Sequence, residues 1–441
     1  MSNQFFILKP QDSKKYELDH FLDQEKSEFS EFVKAEAKLV DQSKDNQNPE
    51  YLNLAKKFGF QWQNYADKGN LLYDWKAQLM MELVQRYARK LNHSIGFPVY
   101  EIKGSNIYNQ AHPVVDSYAK LYGERLYNMQ PKKQKLVMSY DSSYPHFSLA
   151  SQNLKYEKQL PFGYFSIADC YRYEQSGELM LMLRHRRFFM NDIHPFFKDI
   201  NQAFDWIPRM ANLILDSGKK ANLDYQIVIE IPSFQNFNDY QDQIHKVLDQ
   251  INKPVLINIL NDGKDRYWVF NMDFKFVDKL GQAREIGCVQ IDIGNSQKMN
   301  IQFQDSSSNK QKHPVIIHSA IPGGVERYLY MLFDDFKKRC PIFMQPIQAR
   351  IIPVSQKHFQ EAIKIQKEFA NLVRIDIDDR DINLNLKIKQ AHKELIPNKI
   401  ILGDKEDINQ IKEQIQEIAY QNQEFEFLKL NVPHLLSQRH F

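Results

Sequence analysis

The sequence predicts an α+β fold over residues 51–338 and a doubly wound α/β domain over residues 339–441. Three observations predict this. Strand-like alternations such as "YWVFNMDFKFVD" (267–278), "CVQIDIG" (288–294) and "HPVIIHSAI" (313–321) follow one another too closely for crossover helices, as the strands of an antiparallel sheet do. Helical patterns such as residues 72–91 accompany them. After "KKRCPIFMQP" the rhythm changes to strict alternation of strand and helix: "ARIIPVS", "KHFQEAIKIQKEFANL", "VRIDIDD", "NLKIKQAHKEL", "NKIILGD" and "INQIKEQIQEIAYQ". The boundary falls near residue 338.

Residues 1–50 read as an N-terminal appendage. "FLDQEKSEFSEFVKAEAKLV" predicts one amphipathic helix with Phe29, Phe32 and Val33 on a face, and "DQSKDNQNPE" a polar linker. Composition excludes more than it assigns. Of 441 residues, 43% are hydrophobic and 26% charged, which describes a globular chain, and a net charge of +3 confines any nucleic-acid contact to local patches. Cys170, Cys288 and Cys340 lie far apart with no CxxC, so neither a disulfide framework nor a cysteine-rich metal site is expected. The start "MSNQFFILKPQDSKKYELDH" lacks the apolar core of a signal peptide and no run approaches the length of a membrane span, so no membrane is expected and the cytoplasm is the default.

The chemistry concentrates in "YRYEQSGELMLMLRHRRFFMNDIH" (171–194), where four arginines interrupt two apolar strands. "FGYFSIADCYRYE" and "RRFFMNDIHPFF" predict a hairpin joined by a loop with Ser176 and Gly177. An arginine fork suits phosphate oxygens, and a glutamate two residues on shares its face of a strand. Arg172 and Glu174 thus match a nucleotide, cation to phosphate and acceptor to an amino group. Alone, the same pair is an ordinary surface ion pair. "HSAIPGGVERYLYMLF" (318–333) adds a strand running into a helix through two glycines, with Arg327 about one turn inside, where the helix start favours anions.

Taken together, these motifs resemble the class II aminoacyl-tRNA synthetases, and within them the archaeal threonyl-tRNA synthetases. "ADCYRYEQSGEL…LRHRRFFMNDIH" is similar to the second class motif, "REIGCVQIDIGN" to the central strand and "PVIIHSAIPGGVERY" to the third motif. "ARIIPVS…VRIDIDDRD…KIILGDKE" is similar to the anticodon-binding domain, and "VPHLLSQRHF" to that branch's C-terminus. The likeness covers about residues 51–441. It implies an antiparallel catalytic sheet flanked by helices, a homodimer, and ATP with Mg²⁺ as cofactors. It implies a ligase that activates threonine as an adenylate and loads tRNA(Thr). It further implies that Arg172 meets the α-phosphate, Glu174 the adenine edge and Phe188 the adenine face. Arg184 and Arg327 would hold the distal phosphates, Asp192 the ammonium of the amino acid, and Gln290 and Glu285 the pocket wall. Lys389 and Glu406 fall on positions used for anticodon contact.

The departures are as informative. The family holds Zn²⁺ with one cysteine and two histidines; His194 and His318 match the histidines, but Ser143 stands at the cysteine position, and a hydroxyl is a poor zinc ligand beside a thiolate. Weak or absent zinc affinity is expected, with Cys288, the sole cysteine in the central strands, able to substitute if its side chain turns toward the histidines. Ser105 aligns with the interface proline of the first motif, with Pro98 nearby. "GDKEDINQIKEQ" passes straight into a helix where the family has an arginine-bearing hairpin, and residues 1–50 are too short for an editing domain, so proofreading would fall to a factor in trans. Two alternatives therefore stand beside the threonyl reading: a paralogue that activates another small amino acid or loads another acceptor, and a catalytically silent tRNA-binding or regulatory module.

Overall fold

The computed structural model describes residues 4–39, 50–264, 266–423 and 425–439. The linker expected at 41–50 lies, but for its last residue, outside them. The chain divides into two compact units, one of Met1–Leu52, Trp62–Leu71 and Ala88–Arg339, the other of Asn53–Gln61, Leu72–Tyr87 and Cys340–Phe441.

The first unit is built on a ten-stranded sheet. In chain order its strands are β1 (Gln4–Leu8), β2 (Tyr16–Glu17), β3 (Val99–Glu101), β4 (Phe162–Tyr171), β5 (Arg187–Phe197), β6 (Gln226–Ile231), β7 (Val255–Ile259), β8 (Trp268–Val277), β9 (Ala283–Asp292) and β10 (Val315–Gly324). Their spatial order is β2-β1-β7-β6-β8-β9-β10-β5-β4-β3. All neighbours are antiparallel except β6 with β7 and β3 with β4. The expected helix over 72–91 runs Trp75–His93.

The alternation written in β5, β9 and β10 sorts their side chains to two faces. Odd residues such as Val289, Ile291, Ile317 and Ser319 are buried. The helix Ile200–Lys219 covers that face, its Ile214 lying 3.5 Å from where a Cβ on Gly287 would stand. Even residues carry the polar set: Asp192 and His194, Gln290 and Asp292, His318. Register lines them up in rows, Asn271 opposite Gln290, Gln290 opposite His318, and Asp273 opposite Cys288.

Residues 1–50 are not an appendage in the described part. β1 pairs along its length with β7, and the expected single helix is two, α1 (Leu18–Gln24) and α2 (Glu28–Glu36). The break falls at Ser27, whose hydroxyl accepts from the Ser30 amide while Ser30 returns the bond, a reciprocal cap that starts a new helix. Phe29, Phe32 and Val33 do share a face, and it is buried with Ile7, Phe21, Val228 and Leu256. Burying each such side chain is worth about 1.5–3 kcal/mol, enough to make this segment part of the sheet's packing.

The second unit holds a three-stranded parallel sheet, β11 (Ala349–Pro353) between β12 (Ile375–Ile377) and β13 (Asn398–Leu402). The helices α3 (Phe359–Phe369), α4 (Leu384–Lys393) and α5 (Ile408–Gln421) alternate with these strands, as the sequence predicts. Its core gathers Ile351, Ile365, Phe369, Ile377, Ile400 and Ile415. Arg350, 1% exposed, is bonded by Asp376 at 2.8 and 2.9 Å and by Glu394 at 2.7 Å. No helix among the described residues is long and apolar enough to cross a membrane.

Candidate functional site

β4 and β5 are the predicted hairpin, but the strands end earlier than expected, at Tyr171 and Arg187. Arg172 and Glu174 therefore lie on the connecting loop and not on a strand. The reason is in the backbone pairing. Tyr171 donates to Ser139 O and Tyr173 to Arg125 O, so the chain leaves the ladder. The loop is folded by Arg186, a residue that sequence reasoning passed over. It donates to Glu174 O at 2.9 Å and to Asp67 at 3.0 and 3.2 Å, with its guanidinium 3.9 Å from the Tyr173 ring.

This loop, β5 and the end of β10 enclose a cavity of about 260 Å³. Arg172, Glu174, Arg184, Phe188 and Arg327 all line it, as do Glu285 and the unforeseen Arg125. Arg172 lies between two rings, 5.2 Å from Tyr122 and 5.2 Å from Phe188, and its Nε donates to Tyr140 O at 3.2 Å. Its Nη atoms make no hydrogen bond among the described residues. Glu174 is 6% exposed. Its Oε2 is buried without a hydrogen bond, 3.7 Å from Arg184 Nη1 and 3.8 Å from Arg125 Nε. A buried carboxylate oxygen held near cations but not bonded is an acceptor waiting for a donor.

At the other end, β10 turns into the helix Val325–Asp334 through Gly323 and Gly324. Gly323 has φ +146°, and a Cβ there would stand 2.1 Å from Ile286 O, so only glycine fits. The turn brings the helix start and Arg327 to the cavity. Arg327 Nη1 is 3.4 Å from Glu285 Oε2. Glu285, expected at the amino-acid wall, thus sits beside Arg327, on the same strand as Gln290 but away from it. His185, buried in this wall, is pushed down to about 3 by burial and by Arg327.

Beside the cavity lies a second group on the same face. Asp192 accepts from Ser142 Oγ. Burial pushes its carboxyl up to about 7, against that hydroxyl. His194 and Ser143 meet, Nε2 to Oγ at 3.1 Å, and His194 Nε2 is 2.9 Å from His318 Nδ1. His318 Nε2 is 2.7 Å from Asp292 Oδ2. Burial pushes His318 down, but the Asp292 carboxylate overrides it and the net shift is upward. Gln290 is half-buried opposite His318. Behind His194 stands His146, also unforeseen, three residues after Ser143 on the helix Ser143–Asn153 and completely buried.

The three residues assigned to zinc are therefore together, but they do not fit the ion. The third donor is a neutral hydroxyl, and the two nitrogens are at hydrogen-bond distance. Two nitrogens sharing a tetrahedral zinc at about 2.0–2.1 Å would stand about 3.3 Å apart. Cys288 does not replace the thiolate. It lies opposite Asp273, in the row next to that of the histidines.

Lys389 and Glu406 are in the second unit, both exposed, on α4 and in the turn between β13 and α5. Only residues 403–407 connect that strand to that helix, and Asp407 caps it by accepting from the Asn409 amide at 2.8 Å. No hairpin intervenes there.

The family described as tRNA synthetase class II core domain (G, H, P, S and T) matches residues 127–336, and the anticodon binding domain matches residues 348–423. The chain is 38% identical over 358 residues to the threonine–tRNA ligase of Nanoarchaeum equitans, covering 80% of this chain and 56% of that protein. It is 36% identical over 417 residues to that of Pyrobaculum aerophilum, covering 89% and 68%. Among solved structures, a putative threonyl-tRNA synthetase from Aeropyrum pernix matches with a TM-score of 0.69 at 16% identity, over 88% of this chain and 99% of that one. The RNA binding domain of threonyl-tRNA synthetase from Cryptosporidium parvum matches at 0.72 and 18%, over 80% and 89%. These two likenesses are of fold.

Proposed function

The chain belongs to the threonine–tRNA ligase family of class II tRNA synthetases, and from that premise we propose that it activates threonine with ATP and transfers it to tRNA(Thr). One observation carries the reading: a single cavity brings Arg172, Arg184 and Arg327 together with a buried, unbonded oxygen of Glu174. Adenine donates its amino group to Glu174 and packs on Phe188. The amino-acid carboxylate attacks the α-phosphate in line and pyrophosphate leaves. Arg172 meets the charge that develops on the α-phosphate, and Arg184 and Arg327 hold the departing phosphates, the kind of preorganised cation that contributes most to such a step. Mg²⁺ arriving with ATP would supply further positive charge, and the Glu285 carboxylate is placed to hold it. Asp192 pairs with the substrate ammonium, which favours its charged form. The terminal hydroxyl of tRNA then attacks the adenylate carbonyl and AMP leaves.

We assign the edge of the sheet at β3, where Tyr100 is 55% exposed, to a second copy of the chain. Ser143 favours a second reading, in which another small amino acid is used. ATP–pyrophosphate exchange across a panel of amino acids tests both readings. Exchange with threonine above all others supports the first, a different best substrate supports the second, and no exchange with any amino acid refutes the ligase reading.

A further inference from the structure

Three histidines from three elements stand in one hydrogen-bonded line behind the amino-acid side of the site. His146 Nε2 is 3.0 Å from Ser166 Oγ, and its Nδ1 is 2.7 Å from His194 Nδ1. His194 Nε2 is 2.9 Å from His318 Nδ1, and His318 Nε2 is 2.7 Å from Asp292 Oδ2. All six ring nitrogens are used in these four links. Three imidazoles carry at least one N–H each. With the Ser166 hydroxyl they supply a proton for every link, and Asp292 only accepts. The line closes on itself without an ion, and its buried polar atoms are satisfied.

Only the link between His194 and His318 faces Ser143, so only there could a metal replace a proton. The hydroxyl of Ser143 gives no charge to hold one. We infer that this chain selects the side chain of its amino acid with a metal-free wall of hydrogen-bonded histidines, in which His146 is the positioning residue that fixes the ring of His194. The inference rests on the ligase reading for its substrate, a small amino acid with a side-chain hydroxyl. His146 is completely buried, anchored at Nε2 by Ser166, and its other ring nitrogen reaches His194. The ring of His194 has freedom about two torsions. Tied at Nδ1 by His146, it presents Nε2 to the substrate side beside Ser143 Oγ. A substrate hydroxyl can add a hydrogen bond to Ser143 Oγ, which keeps capacity for one beside its link to His194, whereas valine cannot. Serine differs from threonine by one methyl, which a pocket distinguishes by only about 10–200-fold.

The test uses the full chain, purified, dialysed against a chelator and assayed for zinc and for ATP–pyrophosphate exchange with threonine, serine and valine. A tenth of a zinc per chain or less is expected, with threonine exchange unchanged by the chelator and serine accepted within about 200-fold. His146→Phe, which fills the space but drops both links, should raise KM for threonine at least about tenfold and leave KM for ATP within about twofold, the split expected when one of two ligand sites loses its ordering. His146→Asn, whose amide nitrogen reaches where Nδ1 stood, should restore most of the loss. Ser143→Cys should take up close to one zinc. Near one zinc per wild-type chain, or exchange abolished by chelation, overturns the inference, as does an unchanged KM for threonine in His146→Phe. Exchange with no amino acid at all refutes the ligase reading instead. The zinc content, which needs no variant to fold and no substrate to be known, still decides the metal-free wall.

Discussion

Replacing Arg172 by alanine separates a catalytic role from a structural one, because the structure bounds both costs. The side chain makes two cation–π contacts, at 5.2 Å each, and one hydrogen bond to Tyr140 O. At about 0.5–1 kcal/mol per contact and about 1 kcal/mol for the bond, their loss destabilises the fold by roughly 2–3 kcal/mol. The first unit should survive that, with a lowered melting temperature. The catalytic cost is larger. A cation about 4 Å from a charge interacts with it by about 4 kcal/mol at an effective dielectric of 20, and removing one preorganised donor costs about 100- to 1,000-fold in rate. Pyrophosphate exchange at saturating threonine should therefore fall by at least about 100-fold while circular dichroism at 25 °C is unchanged. Arg172→Lys keeps the charge without the planar fork and should lie between. A folded Arg172→Ala enzyme exchanging within about threefold of wild type would refute the placement of the α-phosphate beside Arg172.

Four further outcomes are expected. Arg186→Ala removes the tie from the loop to Asp67 and Glu174 O; with Asp67 half exposed, the cost is about 1–3 kcal/mol, and it should appear as a raised KM for ATP, since Glu174 loses its seat. Equal KM values in wild type and variant would show that the loop is held otherwise. His185 is buried neutral, so the folded state binds fewer protons than the unfolded one between about pH 6.5 and 3, and stability should fall as pH drops through that window, by up to about 4–5 kcal/mol. His185→Gln should flatten the acid limb of the urea midpoint against pH, and an unchanged slope would contradict the burial. Truncating the chain before Glu50 uncovers Val228 and Leu256 and should give aggregated protein, whereas a soluble, fully active fragment would return residues 1–50 to the status of an appendage. The short turn at 403–407 leaves no hairpin to meet unstacked bases, so anticodon-substituted tRNA(Thr) transcripts should be charged with little penalty, and a loss of several kcal/mol for one base change would place the reading on other residues.

How much of this was legible depends on how far apart the partners are in the chain. The second unit was read strand by strand because its parallel sheet is made from consecutive β and α segments, and each crossover is local. The antiparallel strands β8, β9 and β10 were legible for a different reason. "FNMDFKF" and "CVQID" alternate polar and apolar residues, and an alternation of period two states which residues share a face. β1 was missed because its partner, Val255–Ile259, lies some 250 residues away, and "QFFIL" alone does not alternate. The register between strands is equally invisible locally, which is why Glu285 and Gln290 were placed in one wall although register sends them to different ends of the site.

The same distance rule explains which site residues were found. Arg172, Glu174, Arg184 and Arg327 carry charge inside apolar patterns, and such interruptions stand out in any window. Arg186 was hidden among its neighbours, since the residue that makes it structural, Asp67, is 119 positions away. His146 offered one local signal, its spacing of three from Ser143, which places both on one side of a helix turn. That spacing has meaning only if Ser143 already faces His194, and that follows from the packing of the helix Ser143–Asn153 against β5. Reading the serine as a lost ligand is possible from the sequence. Reading it as one member of a satisfied hydrogen-bonded wall requires the rows of the sheet, because what replaces the missing ion is a histidine that no strand pattern connects to the other two.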